Sequence, residues 1–213
     1  MTELTLHFYP GACSRATMIL LEEAVAEYAT HFVDLMQGAQ KTPEYLAVNP
    51  KGKVPTLVVD GRPLTENVAI ISWLNKVFPE ARLLPGGEAL DEAKVLSDLA
   101  WVGSTVHIDF RRCRMPRYFI DGEEKQDEVR ALGLKSLAAD FGLADARLAE
   151  RPFWHGDWSA MDAYLFWVWR GAIELPGFDA MGFRNMAAWA ERVEARPATQ
   201  RGLAREKADS TRG

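Results

Sequence analysis

Leu4, Leu6 and Phe8 alternate with Thr5 and His7, which predicts a strand over residues 4–8. Pro10-Gly11 reads as a turn. Beyond it Ala16, Ile19, Leu20 and Ala24 share one helical face, with Arg15, Glu22 and Glu23 on the more polar side. His31-Phe32-Val33-Asp34-Leu35 predicts a second strand, and strand, helix, strand at this spacing implies a right-handed βαβ unit. The run Val54 to Val59 leads into Asp60-Gly61, a hairpin signal, and returns through Arg62-Pro63-Leu64. Pro63 cannot donate to a sheet ladder, so its strand is expected at an edge or very short. Thr65 is the expected N-cap of a helix from Glu66 that buries Val68, Ile71, Trp73 and Leu74.

After Phe78-Pro79 the pattern changes. Leu84-Pro85-Gly86-Gly87 reads as a linker, and the periodicity downstream is helical, over about 89–104, 105–118, 123–149, 159–173 and 184–195. The expected organisation is an α/β domain over 1–80 (βαβ then ββα), a linker over 81–87 and an all-helical domain over 88–213.

The chain has 213 residues, 48% of them hydrophobic and 26% charged, enough for a substantial core. A net charge of −5 gives no global attraction to nucleic acid or anionic membrane. No segment reaches the roughly 18 uninterrupted apolar residues of a membrane span, and the first residues lack a secretory signature. Two cysteines, Cys13 and Cys113, are too few for a disulfide framework and lack metal-ligand spacing. No metal site is expected, and a reducing cytoplasm fits best.

Cys13 carries the most specific chemistry. A turn that delivers a thiol to a helix start puts it near unpaired N–H groups and the positive end of the macrodipole, which favour the thiolate. A lone Cys otherwise reads as a small buried hydrophobe. Glu66 and Asn67 fall in the first turn of a helix, where free N–H groups make an anion site; Glu66 could equally just complement the dipole. Ser159 and Asp162 form a capping box, with Trp158 as a possible staple to Ala163. His107, Arg111 and Arg114 share a helix face, either lining a pocket for anionic or polar molecules or forming a solvated basic stripe.

Asn49-Pro50-Lys51-Gly52-Lys53-Val54-Pro55, Leu64-Thr65-Glu66-Asn67-Val68-Ala69-Ile70 and Ser159-Ala160-Met161-Asp162-Ala163-Tyr164 stand in order along the chain. Together they resemble the N-P-x-G-x-V-P, L-x-E-[S/G]-x-A-I and S-x-A-D-A segments of glutathione transferases. Gly11-Ala12-Cys13-Ser14 and His107 resemble the bacterial beta class. The resemblance implies a thioredoxin-like first domain, a helical second domain carrying the second-substrate site, and glutathione as co-substrate with no permanently bound cofactor. It implies a cis Val54-Pro55 bond, with the Val54 backbone pairing with the cysteinyl part of glutathione. The γ-glutamyl carboxylate would lie at Glu66 and Asn67, and Glu66 would accept its ammonium. Cys13 would be the thiol-exchange residue, and His107 a polar partner or base approaching the same sulfur across the domain cleft. Ser14 and then Tyr9 are rivals to Cys13.

Lys53 or Lys41 would replace a lysine that the class carries where this chain has Gln37. Asn67 stands for the usual Ser or Gly, and Ala100 for an Asn that reaches the partner subunit's site. Phe110, Arg111, Arg114, Met115 and Trp167 would line the electrophile pocket, the aromatic ones reading equally as core. The function expected is conjugation of glutathione to a small electrophile, or thiol–disulfide exchange, by a homodimer. The alternative is a non-catalytic binding or regulatory protein with the same fold.

Overall fold

The computed structural model describes residues 2–211. The chain forms two compact units, one running to Leu84 and resuming at Glu194, the other spanning Pro85–Val193.

The first unit is built on a four-stranded mixed sheet of order β2-β1-β3-β4: β1 (Leu4–Phe8), β2 (Ala29–Phe32), β3 (Thr56–Val59) and β4 (Arg62–Thr65). β1 pairs with β2 in parallel and with β3 antiparallel, and β3–β4 is the hairpin that Asp60-Gly61 predicts. β4, with Pro63, is an edge strand, as its missing donor requires. Leu4, Leu6, Phe8 and Leu57 are buried with Ile19 and Leu20 of helix α1 (Ser14–Glu23) and with Ile70, Ile71 and Leu74 of helix α3 (Asn67–Val77). The thioredoxin-like arrangement expected of this half is the observed one.

Several sequence expectations shift. β2 begins at Ala29 and ends at Phe32, ahead of a turn in which Asp34 Oδ1 accepts from the N–H groups of Met36 (2.9 Å) and Gln37 (3.1 Å). The N-cap of α3 is Glu66, since Thr65 is still paired with Thr56 in the sheet. On α3, Ile70 is buried whereas Val68 and Trp73 are half-buried. A short helix α2 (Pro43–Val48), capped by Thr42 and seating Tyr45, adds an element that the periodicity does not predict.

The largest difference is at the end of the chain. Residues from Glu194 onward, expected with the helical domain, group with the first unit, where helix α9 (Pro197–Ser210) packs on α1. Its buried positions are Ala198, Thr199, Gly202 and Glu206, a face with almost no apolar signal. A Cβ on Gly202 would stand 3.2 Å from Ile19 Cγ1, so the close approach to α1 selects a small residue. Polar partners complete the seam. Arg196 makes a two-pronged pair with Glu23 (2.7 and 3.0 Å), and Arg205 stacks its guanidinium 3.7 Å from the Tyr28 ring centroid.

The second unit is helical: α4 (Ala89–Trp101), α5 (His107–Arg114), α6 (Glu123–Leu148), α7 (Ala160–Ala172) and α8 (Arg184–Glu194). α4 and α5 are joined by a π-helical segment, Val102–Val106, in place of the break that the sequence predicts between them. α7 is buried almost all round. Its first turn carries the expected capping box, with Asp162 Oδ2 accepting from the Ser159 N–H at 2.9 Å. Asp162 Oδ1 also accepts from Trp154 N–H and from Trp189 Nε1, each at 2.8 Å. One buried carboxyl thus ties α7 to α8 and to the segment before it. Small residues set two close approaches: Gly171 receives the Phe110 ring, and Gly133 receives Cys113 and Arg112.

Two buried ionisable groups make stability depend on pH in opposite directions. Burial, with the His31 ring 4.5 Å away, pushes His7 down to about 4. The unfolded chain takes up that proton near pH 6.5, so stability falls as pH drops from 6.5 to 4. Asp140 is buried on α6 beside Asp109 of α5 and Trp101 of α4, and burial together with the Asp109 charge pushes it up to about 6. Arg112, 2.5 Å from Asp109, is the neighbouring cation. Here stability is full below pH 4 and falls as pH rises through 6. His7→Phe should reduce the loss on acidification from pH 7 to 4.5 by about 2 kcal/mol. Asp140→Asn should raise stability at pH 7.5 by about 2 kcal/mol and give no gain at pH 4. Urea midpoints across pH 4–8 check both; equal profiles for variant and wild type would refute them.

Candidate functional site

The turn before α1 is locked from within. Gly11 has φ +72°, where a side chain would be strained, and Ala12 N–H donates to Tyr9 C=O at 3.1 Å. Ser14 is fully buried; its hydroxyl donates to Tyr9 C=O and accepts from Tyr9 N–H, both at 3.2 Å. Ser14 therefore holds the turn, while the Tyr9 ring packs on Phe32 with centroids 5.8 Å apart. On the other side Glu206 of α9, 4% exposed, accepts from Gly11 N–H (3.2 Å) and from both Arg15 Nε (3.0 Å) and Nη2 (2.7 Å).

This turn delivers Cys13 to the start of α1, with its S–H donating to the Val54 carbonyl at 3.3 Å. The Val54-Pro55 bond is cis. The Asn49–Lys53 loop that leads to it is anchored by buried side chains. Asn49 Nδ2 donates to Lys53 C=O (2.7 Å) and Thr56 Oγ1 (3.0 Å), and the Tyr45 hydroxyl donates to the same Lys53 carbonyl (2.7 Å). Gly52, at φ +59°, lies so near Gln40 C=O that a Cβ would stand 2.8 Å from it.

From the opposite side comes α3. Asn67 is buried, accepts from Thr17 Oγ1 at 2.8 Å and donates from Nδ2 to Cys13 C=O at 3.3 Å. Glu66 precedes it at φ +72° and ψ 125°, a conformation that costs a non-glycine residue energy and holds its carboxylate outside the helix. That carboxylate meets Lys51 Nζ at 2.7 Å, and Lys51 Nζ also reaches Thr65 Oγ1 at 3.0 Å.

Cys13, Val54, Pro55, Glu66 and Asn67 are thus gathered at one place in the first unit, where the Lys53 charge acts on the Cys13 sulfur. One expectation is corrected. The helix start is expected to favour the thiolate, but desolvation of the sulfur pushes the Cys13 thiol up to about 12, with Glu66 adding to the rise and Asn67 and Lys53 opposing it. The S–H that Cys13 gives to Val54 belongs to the neutral form.

The predicted residues of the helical unit lie around α5. His107 is its first residue, directly after the π segment, with Nδ1 3.2 Å from Tyr164 Oη and its ring edge-on to Trp167 at 4.5 Å. Phe110 and Trp167 are buried against each other (5.5 Å). Arg111 covers the Tyr118 ring (4.7 Å), Arg114 covers Phe110 (5.8 Å), and Met115 ends the helix half-buried. A cavity of about 420 Å³ is lined by Cys113, Arg114, Arg130, Gly171, Glu174, Leu175 and Pro176, so of the residues predicted for a pocket it includes Arg114 alone.

Thr17, Tyr45, Lys51 and Glu206 carry no sequence signal that marks them for the site. Lys51 lies inside the Asn49–Pro55 motif, but which of Lys51 and Lys53 meets Glu66 is decided by where the loop turns. Among the described residues, no group of three or more His, Cys, Asp or Glu is placed to hold a metal ion, and no helix is long and apolar enough to cross a membrane.

Residues 11–77, which contain Cys13, Val54, Pro55, Glu66 and Asn67, match the family model described as glutathione S-transferase, N-terminal domain. A sphingomonad glutathione S-transferase complexed with glutathione superposes with a TM-score of 0.83 at 32% identity, covering 95% of this chain and 98% of that one. A bacterial beta-class glutathione S-transferase from Sphingomonas chungbukensis gives 0.83 at 29% identity over the same shares. The glutathione S-transferase GstA of Escherichia coli O157:H7 is 33% identical over 207 residues, 95% of this chain and 98% of its own length. With that identity sustained over nearly the whole of both chains, the protein belongs to the glutathione S-transferase family.

Proposed function

We propose that this family member is a beta-class glutathione transferase that conjugates glutathione to small electrophiles, with Cys13 beside the ligand sulfur. The observation that carries the reading is the 3.3 Å approach of Cys13 Sγ to the Val54 carbonyl, since Val54 is the backbone along which the cysteinyl part of glutathione would lie. A neutral Cys13 thiol suits a hydrogen-bond donor. By turning its S–H from Val54 to the glutathione sulfur it would stabilise the glutathione thiolate. That thiolate attacks the electrophilic carbon; the S–C bond forms as the leaving group departs with its electron pair, and the thiol proton is lost to solvent. Glu66 takes the γ-glutamyl ammonium, the first-turn N–H groups of α3 take its carboxylate, and Lys53 adds positive field at the sulfurs.

His107 is proposed as a polar partner or base, its ring orientation set by Tyr164 and Trp167. Arg111, Arg114 and Met115 are proposed to contact the second substrate, shaped from behind by buried Phe110 and Trp167. On the family ground we also propose a cytoplasmic homodimer of bacterial origin, acting in detoxification.

Thiol–disulfide exchange is the second reading, favoured by the partial exposure of residue 13. In it the Cys13 thiolate attacks the glutathione sulfur of a glutathione mixed disulfide, forming a Cys13–glutathione disulfide and expelling the other thiolate; a free glutathione thiolate then attacks the Cys13–glutathione disulfide, forming oxidised glutathione and restoring the Cys13 thiolate.

Intact mass after incubation with oxidised glutathione, with turnover of an aryl halide measured in parallel, tests both readings. Wild type should turn over the aryl halide, and Cys13→Ala should need a higher pH for the same rate. Adduct formation on Cys13 should accelerate about tenfold per pH unit between pH 7 and 9, because so little thiolate exists at neutrality. An adduct forming equally fast at both pH values would overturn the neutral thiol. Retention on glutathione-agarose with no turnover of either substrate would make the chain a binding protein instead.

A further inference from the structure

Asn67 occupies the α3 position from which a side-chain hydroxyl would reach a carboxylate at the helix start, but its amide is committed inward to Thr17 and Cys13. A positive charge beside that helix start comes from the half-exposed Lys51. Its ammonium lies 2.7 Å from Glu66 Oε1 and 3.0 Å from Thr65 Oγ1, the two residues immediately before Asn67.

We propose that Lys51 is a specificity-determining residue which, together with Glu66, reads the α-amino-acid end of glutathione, Lys51 taking the α-carboxylate and Glu66 the α-ammonium. The proposal rests on the glutathione reading above and adds to it Lys51, as a charged partner of the carboxylate beside the first-turn N–H groups of α3.

The physics is that of partner exchange. Without ligand, Lys51 and Glu66 satisfy each other. A zwitterion offers each a new partner of the right sign, so binding leaves four charges in two pairs and strands none. The Lys51 and Glu66 side chains are 52% and 61% exposed, and a pair that open to water adds little to folding, so rearranging it is cheap. The backbones of both residues are anchored while their side chains face solvent: Lys51 N–H donates to Asn49 Oδ1 at 3.1 Å, and Glu66 is held by its backbone at the start of α3. The pairing also discriminates. A ligand with an ammonium and no carboxylate must compete with Lys51 for Glu66, and one with a carboxylate and no ammonium must draw Lys51 away from it.

Calorimetric titration with three peptides tests this: glutathione, glutaryl-cysteinyl-glycine (no α-ammonium) and γ-aminobutyryl-cysteinyl-glycine (no α-carboxylate). Lys51→Met should weaken glutathione and the glutaryl peptide about tenfold, the loss expected for one charge-assisted contact, and leave the γ-aminobutyryl peptide unchanged or tighter. Glu66→Gln should show the complementary pattern, and Lys51→Arg should stay within about twofold of wild type for all three. Unchanged binding by Lys51→Met, or equal loss for all three peptides, would overturn the assignment of Lys51 while wild-type affinity for glutathione left the parent reading intact. Failure of wild type to bind glutathione would overturn both.

Discussion

The buried amide of Asn67 is the interaction on which the site depends. It receives a hydrogen bond from Thr17 and gives one to the Cys13 carbonyl, so a single side chain fixes the start of α3 against the start of α1. The Thr17 contact is fully buried, and removing that partner would leave a buried polar group unsatisfied at about 1–3 kcal/mol. The same commitment has a chemical consequence. An amide spent on structure is not available to a ligand, which leaves the backbone N–H groups of this helix start and the exposed Lys51–Glu66 pair as the polar groups beside it.

The environment of Cys13 illustrates how competing effects are settled by size. A helix N-terminus stabilises an anion by about 0.3–1 kcal/mol where it is exposed. Desolvation of the sulfur acts the other way and is larger, and the Val54 carbonyl accepts the S–H and so favours the neutral form. A chemistry built on this thiol therefore begins with a donor. The turn that presents it is braced twice, by Ser14 within and by the Glu206 carboxylate from α9, which spans Gly11 and Arg15 on either side of Cys13.

In the helical unit a comparable hub is Asp162, whose carboxylate gathers the Trp154 and Ser159 N–H groups and the Trp189 indole while buried. Burial pushes its carboxyl up, and those donors offset much of the cost. The aromatic residues that read from the sequence as pocket or core resolve toward core, since Gly171 admits the Phe110 ring and Trp167 closes over it. The π segment ahead of His107 adds a residue to the turn and sets the face that α5 presents to α7.

The sequence by itself determined the elements whose signals are local. These are the alternation in β1, the Asp60-Gly61 hairpin with Pro63 on an edge, the amphipathic helices, the capping box at Ser159 and Asp162, and the segments that gather around Cys13, Val54-Pro55 and Glu66. α9 was out of reach because the face it buries consists of Ala198, Thr199, Gly202 and Glu206, and burial of small and ion-paired residues leaves no hydrophobic period to read. Three further features depended on groups distant in the chain: the protonation of Cys13, the inward turn of Asn67, and the choice of Lys51 to meet Glu66. Hydrogen bonds, desolvation and ion pairs between such groups exist only once the chain has closed. Tertiary structure decided them because they are properties of distance, and periodicity records only which side of an element a residue faces.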